Sequence, residues 1–192
     1  MTRRIVPLLG IAGLALLVAI GDAHAQFNLF DSYYDNVARA AAQNDAGKVR
    51  RLVGSGSSPN QTDDQTRTGL HVAAINGNLQ IAAILIKAGA KTDVTDKLGN
   101  TPLHYAADRN QVEMAKLLLD LGAAADPVNR NGMTPLMIAA GRGDLEIVTA
   151  LLAKGANPSK TDFTGRDAVG WAGDSRRPIV VQTLQHAAVG KR

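Results

Sequence analysis

Cysteine is absent from the 192-residue chain, and aromatic residues make up only 4% of it. The lack of cysteine excludes disulfide bonds, thiolate nucleophiles and cysteine-based zinc sites. Positive charge is in slight excess, because the chain has 21 Lys and Arg and 17 Asp and Glu, which give a net charge of +4. That balance falls short of the dense basic clusters of nucleic-acid-binding proteins, so we expect no nucleic-acid partner. The 45% of hydrophobic residues suits one modest soluble domain.

Residues 1–25 have the composition of an export signal. Arg3 and Arg4 precede a run from Ile5 to Ile20 that contains only apolar residues, Gly and Pro. The segment closes with Ala23-His24-Ala25. A basic start, an apolar middle and a small-x-small end are the three parts of a secretory signal peptide. We therefore expect cleavage that leaves Gln26 as the first residue.

A transmembrane anchor and a twin-arginine export signal are the alternatives for this segment. At 1.5 Å per helical residue, the apolar run at residues 5–20 is short for a hydrocarbon layer about 30 Å thick. The residues around the arginine pair match the twin-arginine pattern poorly. The sequence thus predicts a signal peptide at 1–25, a short lead at 26–30, and a periplasmic or secreted protein without a stable membrane span.

Short motifs recur at an interval of 33 residues. Thr101-Pro102-Leu103 returns as Thr134-Pro135-Leu136 without any insertion between the two. Such fixed self-similarity is the signature of a repeat array. Alanine pairs and single glycines keep the same phase, at Ala40-Ala41, Ala73-Ala74, Ala106-Ala107, Ala139-Ala140, Gly56, Gly89, Gly122 and Gly155.

One unit, residues 98–130, predicts two helices. Pro102 suits the first turn of a helix that extends to about Arg109. Asn110 tolerates a left-handed turn. The apolar spacing predicts a second helix from about Val112 to Leu121, which Gly122 ends. The small alanines of the first helix allow the two helices to approach closely.

Two segments resemble ankyrin repeats, GNTPLHYAA and NGMTPLMIAAGRGDLEIVTALLAKGANP. The resemblance extends over residues 31–190 and implies an all-α solenoid of about five stacked 33-residue repeats, each a helix–turn–helix followed by a hairpin loop. Its terminal repeats are atypical, as caps are, and Gln185 replaces an inner apolar residue. The repeats are expected at about 31–64, 65–97, 98–130, 131–163 and 164–190.

The second repeat departs from the ankyrin pattern at two positions. Gly69 stands where the third and fourth repeats have proline, and Thr66 stands where they have the hairpin glycine. The ankyrin pattern therefore does not by itself predict the hairpin turn of this repeat.

His104 could act as a general base or a metal ligand, or it could be structural. His71 occupies the same place one repeat earlier, but so do Met137 and Gly170 later. Equivalent positions in stacked helices lie about 8–10 Å apart, which makes one zinc with nitrogens at about 2.0–2.1 Å awkward to share. The resemblance assigns this histidine to hydrogen bonds between hairpin and helix. Catalytic residues, metals and cofactors are accordingly not expected.

The resemblance implies that the hairpins and first helices form a concave face that binds partners. Six basic residues outnumber two acidic ones there, and three apolar residues lie among them. Apolar groups within a basic stripe suggest protein recognition, and the alternative is a charged face that contacts only solvent. Trp171 is interpreted as a packed helix residue, because Tyr105 and Ile138 hold the same place. The predicted partner-binding residues are Arg67, Lys97, Leu98, Asn100, Asp108, Arg109, Arg130, Asn131, Met133, Arg142, Phe163 and Arg166.

The sequence predicts a non-catalytic protein-binding module or scaffold in the bacterial cell envelope. We expect a monomer whose partner is another protein with an acidic surface. Some exported bacterial ankyrin proteins are thought to support peroxide defence, and the resemblance implies a setting of that kind. An exported enzyme or a small-ligand carrier with an unrecognised site is the alternative.

Overall fold

The computed structural model describes residues 36–174 and 176–189. The predicted signal peptide, the lead at 26–30 and the two ends of the predicted repeat domain, 31–35 and residue 190, lie outside the described residues. Within the described ranges the chain forms ten helices in five pairs. The pairs are α1 (Val37–Ala42) with α2 (Ala46–Gly54), α3 (Gly69–Asn76) with α4 (Leu79–Lys87), α5 (Pro102–Asp108) with α6 (Val112–Asp120), α7 (Pro135–Arg142) with α8 (Leu145–Ala153), and α9 (Ala168–Asp174) with α10 (Pro178–Val189).

The predicted all-helical ankyrin stack is confirmed. The first helices of the five pairs pack side by side as an inner row, in which each of α1, α3, α5 and α7 contacts the next. The second helices form an outer row, with contacts between α2 and α4, α6 and α8, and α8 and α10. The longest described helix, α10, has 12 residues, so none in the described ranges could span a bilayer.

The core runs continuously between the two rows. The inner helices contribute Leu70, Leu103 and Leu136, all at most 1% exposed. The outer helices contribute leucines in equivalent positions of each pair, such as Leu85 and Leu118, which are fully buried. The alanine pairs of the inner helices are buried as well, and their small side chains let neighbouring inner helices pack closely.

The turn between the two helices of a pair is left-handed, as the sequence predicted. Asn110 has a φ of 55°, and Gly77 and Gly143 have φ values of 67° and 77° at the equivalent positions. The predicted ends of α5 and α6, Arg109 and Leu121, each lie one residue beyond the observed ends.

Backbone hydrogen bonds join each hairpin to the next. The N–H of Lys97 donates to the carbonyl of Gln65 at 3.2 Å, and the N–H of Arg130 donates to the carbonyl of Leu98 at 3.0 Å. The N–H of Phe163 continues the series to the hairpin before it, at 3.2 Å. The hairpins therefore stand in one regular row beside the inner helices.

An Asp or Asn side chain closes each hairpin turn. Asp96 Oδ1 accepts the N–H groups of Leu98 and Asn100, at 2.8 and 2.9 Å. A side-chain oxygen that accepts two nearby N–H groups replaces bonds that the tight turn cannot make within the backbone. The equivalent residues, which bond in the same way, are Asp63, Asn129 and Asp162.

The second repeat keeps this turn despite its departures. Thr66 adopts a φ of 58°, in the region where the other hairpins have glycine. A Cβ added at Gly69 would lie 3.0 Å from Leu85 Cδ1, so this position is too closely packed to accept a side chain without adjustment. At the other end of the stack, Gln185 is exposed, which agrees with the predicted C-terminal cap.

Candidate protein-binding face

The two buried histidines join each repeat to the next. Nδ1 of His104 accepts the N–H of Thr101 at 3.1 Å, and Nε2 lies 3.1 Å from the carbonyl oxygen of Met133 in the following hairpin. His71 makes the same pair of bonds, to Thr68 at 3.1 Å and to the carbonyl of Asn100 at 3.0 Å. Because a backbone N–H can only donate, Nδ1 is the acceptor and Nε2 carries the proton.

This arrangement confirms the structural role predicted for His104 and extends it. The resemblance assigns the histidine to hydrogen bonds between hairpin and helix, and the hairpin that Nε2 contacts is that of the next repeat. Burial lowers the pKa of His104 to about 4, and burial also lowers the pKa of His71. Both side chains are therefore neutral at pH 7. Across residues 36–174 and 176–189, no three His, Asp or Glu side chains are grouped as metal ligands.

A groove with a volume of about 510 Å³ lies on the inner side of the third to fifth repeats. Its apolar surface comes from Tyr105, Ile138 and Trp171, which hold equivalent positions on α5, α7 and α9. Met137 of α7 and Met133 of the hairpin that Asn129 closes complete it. The polar residues that line it are Asn100, His104, Asp108, Asn129 and Arg142.

Two hairpin carboxylates hold the aromatic rings of the groove. The hydroxyl of Tyr105 donates to Asp96 Oδ2 at 2.6 Å, and the indole Nε1–H of Trp171 donates to Asp162 Oδ2 at 3.0 Å. The hydroxyl of Thr164, together with backbone N–H groups, holds the pKa of Asp162 at about 2. The same carboxylates that close the hairpin turns therefore position the rings.

Acidic partners on the same face reduce the predicted excess of basic charge. Arg67 forms an ion pair with Asp63, 2.8 Å from Nη2 to Oδ2. Arg142 contacts Asp108 of the preceding repeat, and Arg109 Nε lies 3.4 Å from that same carboxylate.

The other predicted cations differ in their surroundings. The guanidinium carbon of Arg166 lies 3.9 Å from the centre of a Trp171 ring, a cation–π contact. Lys97 Nζ donates to the carbonyl of Asp64 at 2.5 Å. Arg130 is exposed on the next hairpin. Lys97 and Arg130 therefore form the basic part of the hairpin tips.

The predicted apolar residues divide between the tips and the groove. Leu98 and Phe163 are 62% and 78% exposed on their hairpins. A Cβ added at Gly132 would lie 2.7 Å from Phe163 Cδ1, so the Phe163 ring rests on the preceding hairpin. Met133 is half-buried and lines the groove.

The two predicted asparagines also have structural contacts. Asn100 Oδ1 accepts the side-chain N–H of Asn129 at 2.9 Å, and the Asn100 carbonyl is the partner of His71. The Asn131 carbonyl accepts the N–H of Phe163. Their backbone groups are therefore committed to holding the hairpins together.

The repeat pattern of the sequence does not predict the groove. Trp171 was interpreted as a packed helix residue, and it does pack against the core, but one side of it lines the groove. Gly141 also lines the groove, and no sequence expectation covers it. The 33-residue repeat does indicate that three of the lining residues share one face. Each follows the histidine position of its own repeat by one residue, at Tyr105, Ile138 and Trp171.

Two family models match the chain, and both describe ankyrin repeats. The model for ankyrin repeats in three copies matches residues 37–128, and the model for ankyrin repeats in many copies matches residues 105–152. The chain belongs to the ankyrin-repeat family. Members of this family are typically non-catalytic modules for protein–protein interaction. A comparison with curated proteins gave no match.

Proposed function

We propose that this protein is a non-catalytic scaffold of the bacterial cell envelope that binds a partner protein through its hairpin tips and the adjoining groove. The observation that supports the proposal is the exposure of Leu98 and Phe163 on hairpins beside an apolar groove. Large apolar side chains surrounded by polar groups are typical of the centre of a protein interface. The cations Lys97 and Arg130 would favour an acidic surface on the partner.

Affinity capture from an envelope extract tests this surface when wild type and two matched variants are compared. The tip variant carries Leu98→Ala and Phe163→Ala. The control carries Leu79→Ala and Ile179→Ala, which remove exposed apolar side chains of 41% and 63% exposure from the outer helices. We expect the tip variant to lose the proteins that wild type and control both retain. Equal capture by all three would refute the proposed surface.

Charge reversal tests the preference for an acidic partner. The tip-reversal variant carries Lys97→Glu and Arg130→Glu. The control variant carries Arg50→Glu and Lys87→Glu, which make the same change in net charge at exposed positions of the outer helices. The tip reversal should weaken capture at low salt and matter less at high salt, because salt screens exposed charges. A control that weakens capture equally would indicate attraction by net charge alone.

The proposed location rests on the composition of residues 1–25. We expect N-terminal sequencing of the protein from the envelope fraction to begin at Gln26, because Ala23-His24-Ala25 fits a signal-peptidase site. Recovery of an intact Met1 in the membrane pellet would overturn both cleavage and release from the membrane.

A role in peroxide defence rests on the family resemblance alone. The test is survival of a deletion strain in hydrogen peroxide, with complementation by wild type and by the tip variant. Rescue by wild type but not by the tip variant would connect the role to the binding face. Survival of the deletion strain at the wild-type level would remove this setting and leave the scaffold proposal intact.

A further inference from the structure

Gly141 leaves a gap in the row of side chains along the inner helices. Ile75 and Asp108 carry side chains at the equivalent positions of the second and third repeats. A Cβ added at Gly141 would lie 3.5 Å from Trp171 Cε3 and 3.9 Å from Trp171 Cβ, which are ordinary van der Waals distances. The space over Gly141 therefore accepts an apolar atom in contact with the indole ring.

The walls around this space suit a large apolar side chain. Ile138 and Trp171 flank it on neighbouring helices, and Met133 and Met137 contribute two methionines to the lining. Methionine is unbranched and flexible, so it adapts to side chains of different shape. An aliphatic or aromatic side chain would here exchange water for apolar contacts on several sides.

The length of the groove indicates an extended occupant. It runs from Tyr105 on α5 past Ile138 on α7 to Trp171 on α9. Stacked helices lie about 8–10 Å apart, so three of them span roughly 16–20 Å. An extended peptide rises about 3.3 Å per residue, and roughly five to six residues would follow the groove.

The charges at the edge of the groove leave one cation in excess. Asp108 accepts ion pairs from both Arg109 and Arg142, so two positive charges share one negative charge. The Arg142 side chain is 59% exposed, and an ion pair this exposed contributes at most about 1 kcal/mol. If Arg142 turned toward a ligand carboxylate, Asp108 would keep Arg109 as its partner.

We propose that the groove binds an extended peptide segment of the partner whose large apolar side chain fills the space over Gly141 and whose neighbouring Asp or Glu binds Arg142. This inference rests on the proposed function as a protein-binding scaffold, and it specifies the recognised motif. The apolar contact supplies most of the affinity, and the carboxylate fixes the direction and register of the segment.

The first experiment selects peptides from a displayed library of random hexapeptides on the intact purified chain. The expected result is a motif with one large apolar residue beside Asp or Glu. A selected peptide is then titrated while tryptophan fluorescence is recorded. The signal reports on the groove because Trp171 is the one Trp of the chain. Alanine in place of the apolar residue should weaken binding at least tenfold. Selection of an unrelated motif, or of none, overturns the proposal.

The second experiment fills the groove from the protein side. Gly141→Leu should weaken the selected peptide at least tenfold and keep the fold, since Leu favours a helix more than Gly does. Gly141→Ala adds only one carbon, at an ordinary contact distance from Trp171, and should weaken peptide binding several-fold. This smaller substitution tests the proposal if the Gly141→Leu variant does not fold. The control is Gly54→Leu on α2, where an added Cβ meets nothing within 4 Å. Unchanged peptide affinity in a folded Gly141→Ala variant contradicts the proposal.

The role of Arg142 has its own test. Arg142→Gln should remove the difference between a peptide with Glu beside the apolar residue and the same peptide with Gln there. If wild type binds these two peptides equally, the carboxylate part of the proposal fails.

Failure of this inference is distinguishable from failure of the proposed function. If Gly141→Leu captures the natural partner as wild type does, while the Leu98 and Phe163 variant loses it, the groove inference fails and the scaffold proposal stands. If both variants capture the partner normally, both fail. If small apolar molecules change Trp171 fluorescence and no peptide is selected, the alternative of a ligand carrier is favoured.

Discussion

Thr66 holds a left-handed backbone in a turn where its counterparts are glycine. Its φ is 58°, and those of Gly99, Gly132 and Gly165 lie between 76° and 82°. A β-branched residue is strained in this region because its Cβ approaches the backbone. The turn still forms, since Asp63 Oδ1 accepts two N–H groups across it. The carboxylate contacts therefore stabilise the turn against the local strain.

Replacing this residue should stabilise the fold. Thr66→Gly removes the strain, and the greater freedom of Gly in the unfolded chain offsets part of the gain, so we expect the free energy of unfolding to rise by about 0.5–1 kcal/mol. Urea unfolding followed by circular dichroism measures it. The converse variant, Gly165→Ala, should cost about 1–2 kcal/mol, because its φ of 82° lies in the left-handed region. The added Cβ meets nothing within 4 Å, so only the backbone is strained. A Thr66→Gly variant no more stable than wild type would contradict this account.

His104 should make stability depend on pH. Its pKa in the folded protein is about 4, below the value near 6.5 in the unfolded chain. The unfolded state therefore binds the proton first as the pH falls. We expect the free energy of unfolding to decrease between pH 6.5 and 4, by about 3 kcal/mol from this residue.

The matched variant for this test exists within the chain. Met137 takes the histidine position in the fourth repeat, with its sulfur 3.5 Å from the N–H of Thr134. His104→Met should therefore fold and lose part of the pH dependence, while His71 retains its own share. Urea unfolding of both proteins at pH 7, 6 and 5 measures the difference. An identical pH dependence in the two proteins would show that His104 does not titrate in this range.

The Asp96 side chain holds its hairpin turn together with two backbone hydrogen bonds, from Asp96 N–H to the Asn100 carbonyl and from Gly99 N–H to the Asp96 carbonyl. Asp96 accepts two backbone N–H groups and the Tyr105 hydroxyl, so Asp96→Ala leaves three donors without their acceptor. We expect a loss of about 2–3 kcal/mol in the free energy of unfolding. Asp96→Asn should cost less, because Asn129 closes the next hairpin through its own Oδ1. Thermal unfolding of both variants decides this, and equal losses would contradict the turn-closing role.

The helices and the order of the repeats were predictable, whereas the side-chain pairing was not. Periodicity and capping residues located α5 and α6 to within one residue, because each unit repeats the same local pattern. The contact of Arg142 with Asp108 joins two repeats, and it depends on how far apart they stack and on the rotamers of long side chains. The groove was missed for the same reason, since it forms only where three inner helices meet and Gly141 leaves space.

The stack should unfold less cooperatively at its end than at its centre. The inner helices of each repeat pack against those of adjacent repeats, and stability in such arrays is close to a sum of nearest-neighbour terms. Leu184 of α10 and Leu118 of α6 are both fully buried. Truncating either to alanine should cost about 2–5 kcal/mol locally.

The two truncations should shift the urea midpoints of Trp171 fluorescence and of circular dichroism differently. Leu184→Ala weakens the last repeat, so the midpoint of Trp171 fluorescence in urea should fall further than the midpoint of far-ultraviolet circular dichroism. Leu118→Ala should lower both midpoints together, because α6 lies in the middle repeat. Coincident shifts in the Leu184→Ala variant would show that the array unfolds as a single cooperative unit.

The neighbour-to-neighbour packing also determines how the molecule would respond to a mechanical load. Tension on the chain ends would peel repeats away one at a time, and each detached unit of 33 residues would lengthen the tether by roughly 110 Å. If tension first detached α9 and α10, Trp171 would separate from Tyr105 and Ile138, and the groove would lose one of its sides. A partner held there would be released while the remaining repeats stayed stacked, so the protein would behave as a force-sensitive clasp.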